Sequence, residues 1–195
     1  QEEVARLVSE EGLAEIPPFD HPAVIAGQGT IGLEIVEDLS EVDLVLVPLS
    51  GGGLAGGIAA AVKALRPQTR IIGISMARGA AMHASLRAGR PVQVEELPTL
   101  ADSLGGGVGL ANRYSFGLCR DLLDGVILLG EEEIAAGIRH AFLAENEIVE
   151  GAAGVGIAAL LAGKVKVNGP VAVVVSGRNI DPDLHRRIVE QEGAA

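Results

Sequence analysis

Residues 42–57 read VDLVLVPLSGGGLAGG, and this stretch decides the fold class. Val42 to Pro48 is an almost continuous apolar run of strand length, which is typical of a strand buried on both faces. The glycines of Ser50 to Gly53 predict a loop, and Leu54 to Leu65 then has the composition of a helix. This strand, loop and helix form one unit of an α/β fold.

The same alternation of strands and helices continues along the chain. Further strands are predicted at Arg70–Ser75, Gly125–Leu129 and Val171–Val175. Further helices are predicted at Glu2–Glu11, Thr30–Leu39, Ala80–Ala88, Glu131–Ala144, Gly151–Ala162 and Asp183–Glu190. Because such alternation favours parallel pairing, the sequence predicts an α/β fold with an open parallel sheet and helices on both faces.

Charge and composition exclude several classes of protein. The formal net charge is −11, from 26 acidic and 15 basic residues, so nucleic acid is not expected as a partner. The lone Cys119 cannot form an internal disulfide, which agrees with a reducing cytoplasm. No apolar run reaches membrane-spanning length, and the N-terminus does not resemble a signal peptide, so a membrane is not expected as a partner.

The glycine loop is a candidate phosphate site. Gly51, Gly52 and Gly53 have no Cβ atom, so backbone N–H groups can converge there, and the start of the next helix adds partial positive charge. We therefore expect Ser50 to Leu54 to bind a phosphate without a basic side chain. The alternative is a tight turn that only lets strand and helix pack, but three consecutive glycines exceed what such packing requires.

Two matches to the G-x-G-x-x-G pattern leave a dinucleotide site open, at Gly27–Gly32 and at Gly51–Gly56. Such a site also needs an acidic residue at the end of the following strand, and neither motif is followed by one. Arg78 could instead meet the 2′-phosphate of NADP. A non-catalytic module that binds phosphate or NADP is therefore the alternative function.

Two further polar residues have positions that suit a site. Ser176 follows the last predicted strand, and ligands of open parallel sheets gather at the carboxyl ends of strands. Glu150 precedes a helix, where a carboxylate interacts favourably with the helix dipole.

Cys119 is expected to pack rather than to react. The histidines show no metal-ligand spacing and are expected at the surface or at helix caps: His21, His83, His140 and His185.

The order of these motifs resembles the threonine/serine dehydratase group of fold-type II pyridoxal-phosphate enzymes. The resemblance runs from Pro17 to Arg187 and rests on Pro18–Pro22, Gly27–Thr30, Val47–Ile58, Ala101-Asp102, Val149–Gly154 and Val175–Asn179. At the level of branches, Gly79–His83 and Ser176–Asp181 are most similar to the hydroxyectoine-utilisation dehydratases.

The resemblance implies a cofactor, a reaction and roles for the candidate residues. The cofactor is pyridoxal 5′-phosphate, and the reaction is β-elimination from a hydroxy amino acid that is similar to threonine or serine or is derived from hydroxyectoine. Ser50 to Leu54 would bind the cofactor phosphate, Ser176 would face the pyridine nitrogen, and Glu150 would lie near the ring. A neutral hydroxyl cannot keep that nitrogen protonated, which suits β-elimination.

The resemblance also implies a domain division and a homo-oligomer. Residues 1–20 would be the tail of a small domain and the crossover, and residues 21–195 would be an incomplete large domain that binds the cofactor. The chain opens at Gln1 without Met, so we interpret it as part of a larger protein whose N-terminal segment is a partner of this one.

The sequence departs from the family pattern in three ways. The family's Schiff-base lysine lies in a Ser-Phe-Lys-type motif that these residues lack, so the 195 residues alone are expected to be inactive. Lys63, Lys164 and Lys166 are expected at the solvated surface. Ser75 occupies the place of a metal-binding glutamate found in some relatives, so no metal is expected. Ser103 replaces the glycine of an Ala-Asp-Gly motif, on the substrate side.

Overall fold

The computed structural model describes residues 2–190, and their centre is a four-stranded sheet. The strand order is β3-β2-β1-β4, and every pairing is parallel. The strands are β1 (Leu44–Pro48), β2 (Arg70–Met76), β3 (Gly125–Leu129) and β4 (Val171–Val173). The predicted open parallel sheet is confirmed.

Helices cover both faces of this sheet, as the alternating pattern predicts. Helices α6, α7 and α8 enclose the core on one face, while α3, α4 and α5 enclose it on the other, with α2 packed on α3. The helices are α1 (Glu2–Glu11), α2 (Pro22–Asp38), α3 (Gly53–Leu65), α4 (Ala81–Ala88), α5 (Ser115–Leu122), α6 (Glu131–Glu145), α7 (Gly151–Leu161) and α8 (Pro182–Glu190). Between residues 2 and 190, no helix combines the length and the apolar character that crossing a bilayer requires.

Strand β1 is the centre of the core. Leu44 and Leu46 belong to the cluster on the α7 face, and Val45 and Val47 belong to the cluster on the α3 face. All four side chains are fully buried. Because successive residues of a strand point to opposite faces, this two-sided burial explains the continuous apolar run in the sequence.

Several predicted elements differ from the structure by one or two residues at an end, and α2 begins eight residues earlier than predicted. Helix α2 starts at Pro22 rather than Thr30, with the His21 side chain as its cap, accepting from the Ala23 amide at 3.2 Å. Proline is favoured at a first helical position, but the glycines that follow weaken the local signal for a helix. Strand β4 ends at Val173 rather than Val175. Within the described residues β4 pairs only with β1, so it is an edge strand there and not the central strand that its apolar run suggests.

The first G-x-G-x-x-G match is a packing motif. Gly27 to Gly32 lie inside α2, so their amides belong to a helix and cannot form a phosphate loop. A Cβ atom at Gly29 would lie 3.2 Å from the carbonyl oxygen of Gly57, and one at Gly32 would lie 2.8 Å from that of Ile58. These glycines therefore allow α2 to approach α3 closely, and they offer no dinucleotide site.

This role predicts opposite effects for two substitutions in α2. In the intact protein, Gly32→Ala should lower the free energy of unfolding by about 1–3 kcal/mol, because the new methyl group clashes with α3. Gly27→Ala meets nothing within 4 Å and should raise it by up to about 1 kcal/mol, because alanine favours the helix. Urea unfolding of both variants measures the difference. Equal effects at the two positions would contradict the packing role.

Candidate functional site

The glycine loop leaves unpaired backbone donors at the start of α3. Gly52 adopts a left-handed conformation with φ of 90° and caps α3 without a side-chain hydrogen bond. The Gly56 amide makes the first helical bond, to the Gly52 carbonyl at 2.8 Å. The amides of Gly53, Leu54 and Ala55 come before this bond, so the helix offers them no acceptor. They are ready to bind an anion.

A cavity of about 720 Å³ opens in front of these amides, at the carboxyl ends of β1 and β4. This size is in the range of small-molecule and cofactor sites. No Lys, Arg or His lines it among the described residues. Its lining includes all seven residues that the sequence proposes for the site: Ser50, Gly51, Gly52, Gly53, Leu54, Glu150 and Ser176.

Packing does require the three glycines, contrary to the expectation from sequence. A Cβ atom at Gly52 would lie 2.7 Å from Met82 Cε and 2.9 Å from Cys119 Sγ. Cβ atoms at Gly51 and Gly53 would collide with Phe19, whose side chain also lines the cavity. The triple glycine therefore reflects close packing, and the case for an anion site rests on the unpaired amides of α3.

The two serines of the site have different environments. The Ser50 hydroxyl donates to the carbonyl oxygen of Gly105 at 3.3 Å, which ties the glycine loop to the irregular segment 91–109. Ser176 lies three residues beyond the end of β4 and is exposed at the rim of the cavity. Its hydroxyl can therefore reach a ligand above the sheet.

Glu150 is the carboxylate of the cavity. It is the N-cap residue of α7, yet its side chain makes no capping hydrogen bond. Its Oε1 atom lies beside Gly177, where a Cβ would approach it to 2.5 Å. Burial raises the pKa of Glu150, the charge of Asp102 raises it further, and a hydrogen bond from the Asn179 backbone opposes both. The carboxyl group of Glu150 thus lies at the site and does not cap helix α7.

The three lysines lie outside the lining of this cavity. Lys63 is not a solvated surface residue as expected, because its side chain is only 18% exposed and its Nζ lies 2.8 Å from Asp124 Oδ2. Lys164 is exposed and donates to Glu133 at 2.7 Å, and Lys166 is exposed. Lys63 is also ten residues beyond the first residue of α3, which corresponds to roughly 15 Å along the helix.

Cys119 and His185 are both buried, but only Cys119 was expected to be. Burial raises the pKa of the Cys119 thiol to about 12, so it stays protonated and packs. His185 was expected at the surface or at a cap, but it packs against Phe142 with ring centroids 5.1 Å apart. In residues 2–190 no three His, Cys, Asp or Glu side chains cluster in a way that could hold a metal. The absence of a metal stays a prediction.

Sequence reasoning missed part of the cavity wall. Pro18, Phe19 and Gln28 line it, although the sequence indicated only a chain break at the two prolines and a glycine motif beyond them. Phe19 thus contacts the glycine loop, whereas the proposed division at residue 20 stays a prediction. No local pattern could have revealed these contacts, because the partners lie about 30 residues apart in the chain.

A family model described as "pyridoxal-phosphate dependent enzyme" matches residues 1–177. The chain belongs to this family. Family membership makes pyridoxal phosphate the cofactor to consider for the cavity, and it does not favour the NADP-binding or non-catalytic alternative.

Three individual relatives show which members of this family the chain is similar to. A Sinorhizobium fredii protein whose name assigns it provisionally to the threonine dehydratases is 65% identical over 190 residues, which are 97% of this chain and 57% of the relative. The L-threonine ammonia-lyase of Thermotoga maritima is 42% identical over 97% of this chain and 47% of its own length. The structure of the processed form of threonine deaminase isoform 2 from Solanum lycopersicum matches with a TM-score of 0.88 at 36% identity, over 99% of this chain and 57% of that one. The chain thus spans about half the length of these relatives.

The raised pKa of Glu150 predicts a pH effect on stability. The native protein holds this proton more tightly than the unfolded chain does, so the free energy of unfolding falls as pH rises from the ordinary glutamate pKa through the raised one. Glu150→Gln in the intact protein should remove this fall. Unfolding measured from pH 4 to pH 8 tests it, and a pH profile parallel to that of the wild type would contradict the assignment.

Glu133 provides a control of opposite sign. Its burial acts to raise its pKa, but hydrogen bonds from Lys164 and the Gly130 amide outweigh this effect and lower it. Ionised Glu133 therefore stabilises the native state above the ordinary glutamate pKa, and this stability is lost as pH falls through the lowered one. Glu133→Gln should thus lower the free energy of unfolding at neutral pH.

Proposed function

We propose that the intact protein is a pyridoxal-phosphate-dependent lyase. It removes the β-hydroxyl group of an amino acid similar to threonine or serine and yields a keto acid and ammonia. The observation that carries this proposal is the set of unpaired amides at the start of α3, in a cavity that also contains Glu150 and Ser176.

The phosphate end of the cofactor fits the start of α3. Phosphate is a strong acceptor with nearly two negative charges, and the N–H groups of Gly53, Leu54 and Ala55 are donors that lack helical partners. The helix dipole adds partial positive charge at the same place. Because the cavity wall has no cation among its described residues, these backbone groups would provide the attraction for the phosphate.

The side of the cavity at the end of β4 suits the pyridine ring of the cofactor. Ser176 lies at the rim beyond β4, and we assign it the hydrogen bond to the pyridine nitrogen. When bound, the cofactor supplies an electron sink for breaking bonds at the substrate α-carbon. A serine hydroxyl is neutral, so it does not hold a proton on that nitrogen as a carboxylate would. We assign Glu150 to the space near the ring, where burial and the charge of Asp102 raise its pKa and so favour its protonated form more than in an exposed glutamate.

The amine that holds the cofactor is, in this proposal, none of the three lysines of these residues. Lys63 is engaged with Asp124 and Lys164 with Glu133. None of the three lines the cavity. The covalent attachment and the transfer of the α-proton are therefore assigned to a group outside residues 1–195, and these residues alone are proposed to be inactive.

Threonine and serine are the first substrates to test. All three relatives described above are named for threonine. The branch-level resemblance of Gly79–His83 and Ser176–Asp181 adds a hydroxy amino acid derived from hydroxyectoine. Assembly as a homo-oligomer and a location in the cytoplasm are part of the same proposal.

Turnover by the intact protein tests the function. We expect keto acid and ammonia in equal amounts from L-threonine, L-serine or the hydroxyectoine-derived substrate. Ser176→Ala should lower kcat by about 3- to 10-fold, the usual effect of losing one hydrogen bond, and leave the affinity for the cofactor nearly unchanged. No keto acid from any of the three substrates, in protein that has bound pyridoxal phosphate, would refute the lyase assignment.

Chemical trapping tests the assignment of the lysine. Borohydride reduction of the loaded protein, followed by peptide mapping, should place the reduced cofactor outside Lys63, Lys164 and Lys166. An adduct on any of these three residues would contradict it.

A further inference from the structure

The side of the glycine loop that faces away from the cavity rests on the first turn of α5. Asp20, from the irregular segment before α2, binds this turn across 93 to 95 residues of sequence. Its Oδ2 atom accepts from the Arg113 amide at 2.7 Å, and its Oδ1 atom accepts from the amides of Tyr114 and Ser115, both at 2.9 Å. One carboxylate thus binds three consecutive N–H groups at the start of α5, where Tyr114 offers no side-chain cap.

Helix α5 in turn holds the carbonyl groups of the loop. The Ser115 hydroxyl donates to the Gly51 carbonyl at 2.7 Å, and the Cys119 thiol lies 3.6 Å from the Gly52 carbonyl. A trans peptide is planar, and its C=O and N–H groups point in opposite directions. Fixing the carbonyls of Gly51 and Gly52 toward α5 therefore turns the amides of Gly52 and Gly53 away from it.

The direction of the Ser115 hydroxyl is itself set by a neighbour. Asn112 Nδ2 donates to Ser115 Oγ at 2.8 Å, so the oxygen is an acceptor there and its own proton remains for Gly51. The Asn112 side chain is held by the Val108 carbonyl at 2.8 Å and by the Phe116 amide at 2.9 Å. Ser115 is fully buried, so the bond from its hydroxyl to Gly51 does not compete with water.

Asp20 is charged in this position. Burial acts to raise its pKa, but the amides of Ser115, Arg113 and Tyr114 and the Ser115 hydroxyl outweigh that effect and lower it. The residue before it, Phe19, lies against Gly51 and Gly53 and lines the cavity. Binding of Asp20 to α5 therefore positions both the far side of the loop, through Ser115, and the wall in front of it, through Phe19.

We propose that Asp20 is a positioning residue for phosphate binding: by holding the start of α5, it lets Ser115 and Cys119 fix the glycine loop with its amides toward the cavity. The inference rests on the proposed function, because it assigns Asp20 a role in how that site holds phosphate. Asp20 does not touch the ligand and acts only through α5 and Phe19.

The experiment compares Asp20→Asn with a matched control in the intact protein. Asp124 also accepts a distant backbone amide, that of Ile71 at 2.7 Å, and it pairs with Lys63, but it lies at the start of β3, at the sheet edge opposite the loop. For each variant, the measurements are the unfolding midpoint without cofactor and the dissociation constants of pyridoxal phosphate and of inorganic phosphate.

Asp20→Asn should raise the dissociation constants of both ligands by a similar factor, on the order of 10-fold. Asp124→Asn should lower the unfolding midpoint without changing either dissociation constant. Ser115→Ala should reproduce the loss of affinity, and the double variant should lose little more than either single one, because both act through one chain of contacts.

Asp20→Asn with lowered stability and wild-type affinities would overturn the proposal, and so would additive losses in the double variant. If Asp20→Asn does not fold, Ser115→Ala decides alone: unchanged affinity for both ligands would overturn the proposal. If the wild-type protein binds neither ligand, the proposed function is refuted, and this inference with it. If the wild-type protein binds both ligands and Asp20→Asn binds them with the same affinities, only the inference is refuted.

Discussion

The unpaired amides at the start of α3 are the constraint on which the rest of this structure depends. Helix α3 follows β1, the strand that is buried on both faces, after the short loop 49–52, so the position of its first turn is set by the core. The left-handed Gly52 turns the chain into the helix, and neighbours on two sides leave no room for a side chain on the loop. A rigid strand thus presents a set of donors at the sheet edge where ligands of parallel sheets bind.

The electrostatics of the cavity follow from the same arrangement. An anion there meets the carboxyl group of Glu150 and no cation among the described residues that form the wall. The helix dipole and the amides must therefore outweigh the overall negative charge of the chain, −11, and the charge of Glu150. The raised pKa of Glu150 acts against that conflict, because any gain in protonation lowers the negative charge that repels a phosphate.

The features of the fold and of the site that could be predicted are those marked by residues close together in the sequence. The apolar run of β1, the glycines after it and the helix that follows form one contiguous stretch, and they led to the correct sheet and to a cavity lined by every candidate residue. The spacing of Gly27 to Gly32 misled, because glycines that let two helices approach look like those of a phosphate loop in sequence. Asp20 was missed since its partners lie more than 90 residues away, and a carboxylate that binds three distant amides leaves no local pattern. The same holds for β4, whose apolar run does not reveal how many neighbours it has.

The central claim is that backbone amides of α3 bind the cofactor phosphate, and one amide can be removed selectively. Leu54 is the second residue of α3, where a proline is tolerated in the first turn, and the preceding Gly53 has no Cβ to clash with the proline ring. Leu54→Pro deletes one N–H group at the cavity, while Leu54→Ala shortens the side chain and keeps that group. The dissociation constants of pyridoxal phosphate and inorganic phosphate should rise about 10- to 100-fold in Leu54→Pro, as expected for the loss of one hydrogen bond to a charged group, and change little in Leu54→Ala. Equal affinities in the two variants, with the fold of both intact, would contradict the account.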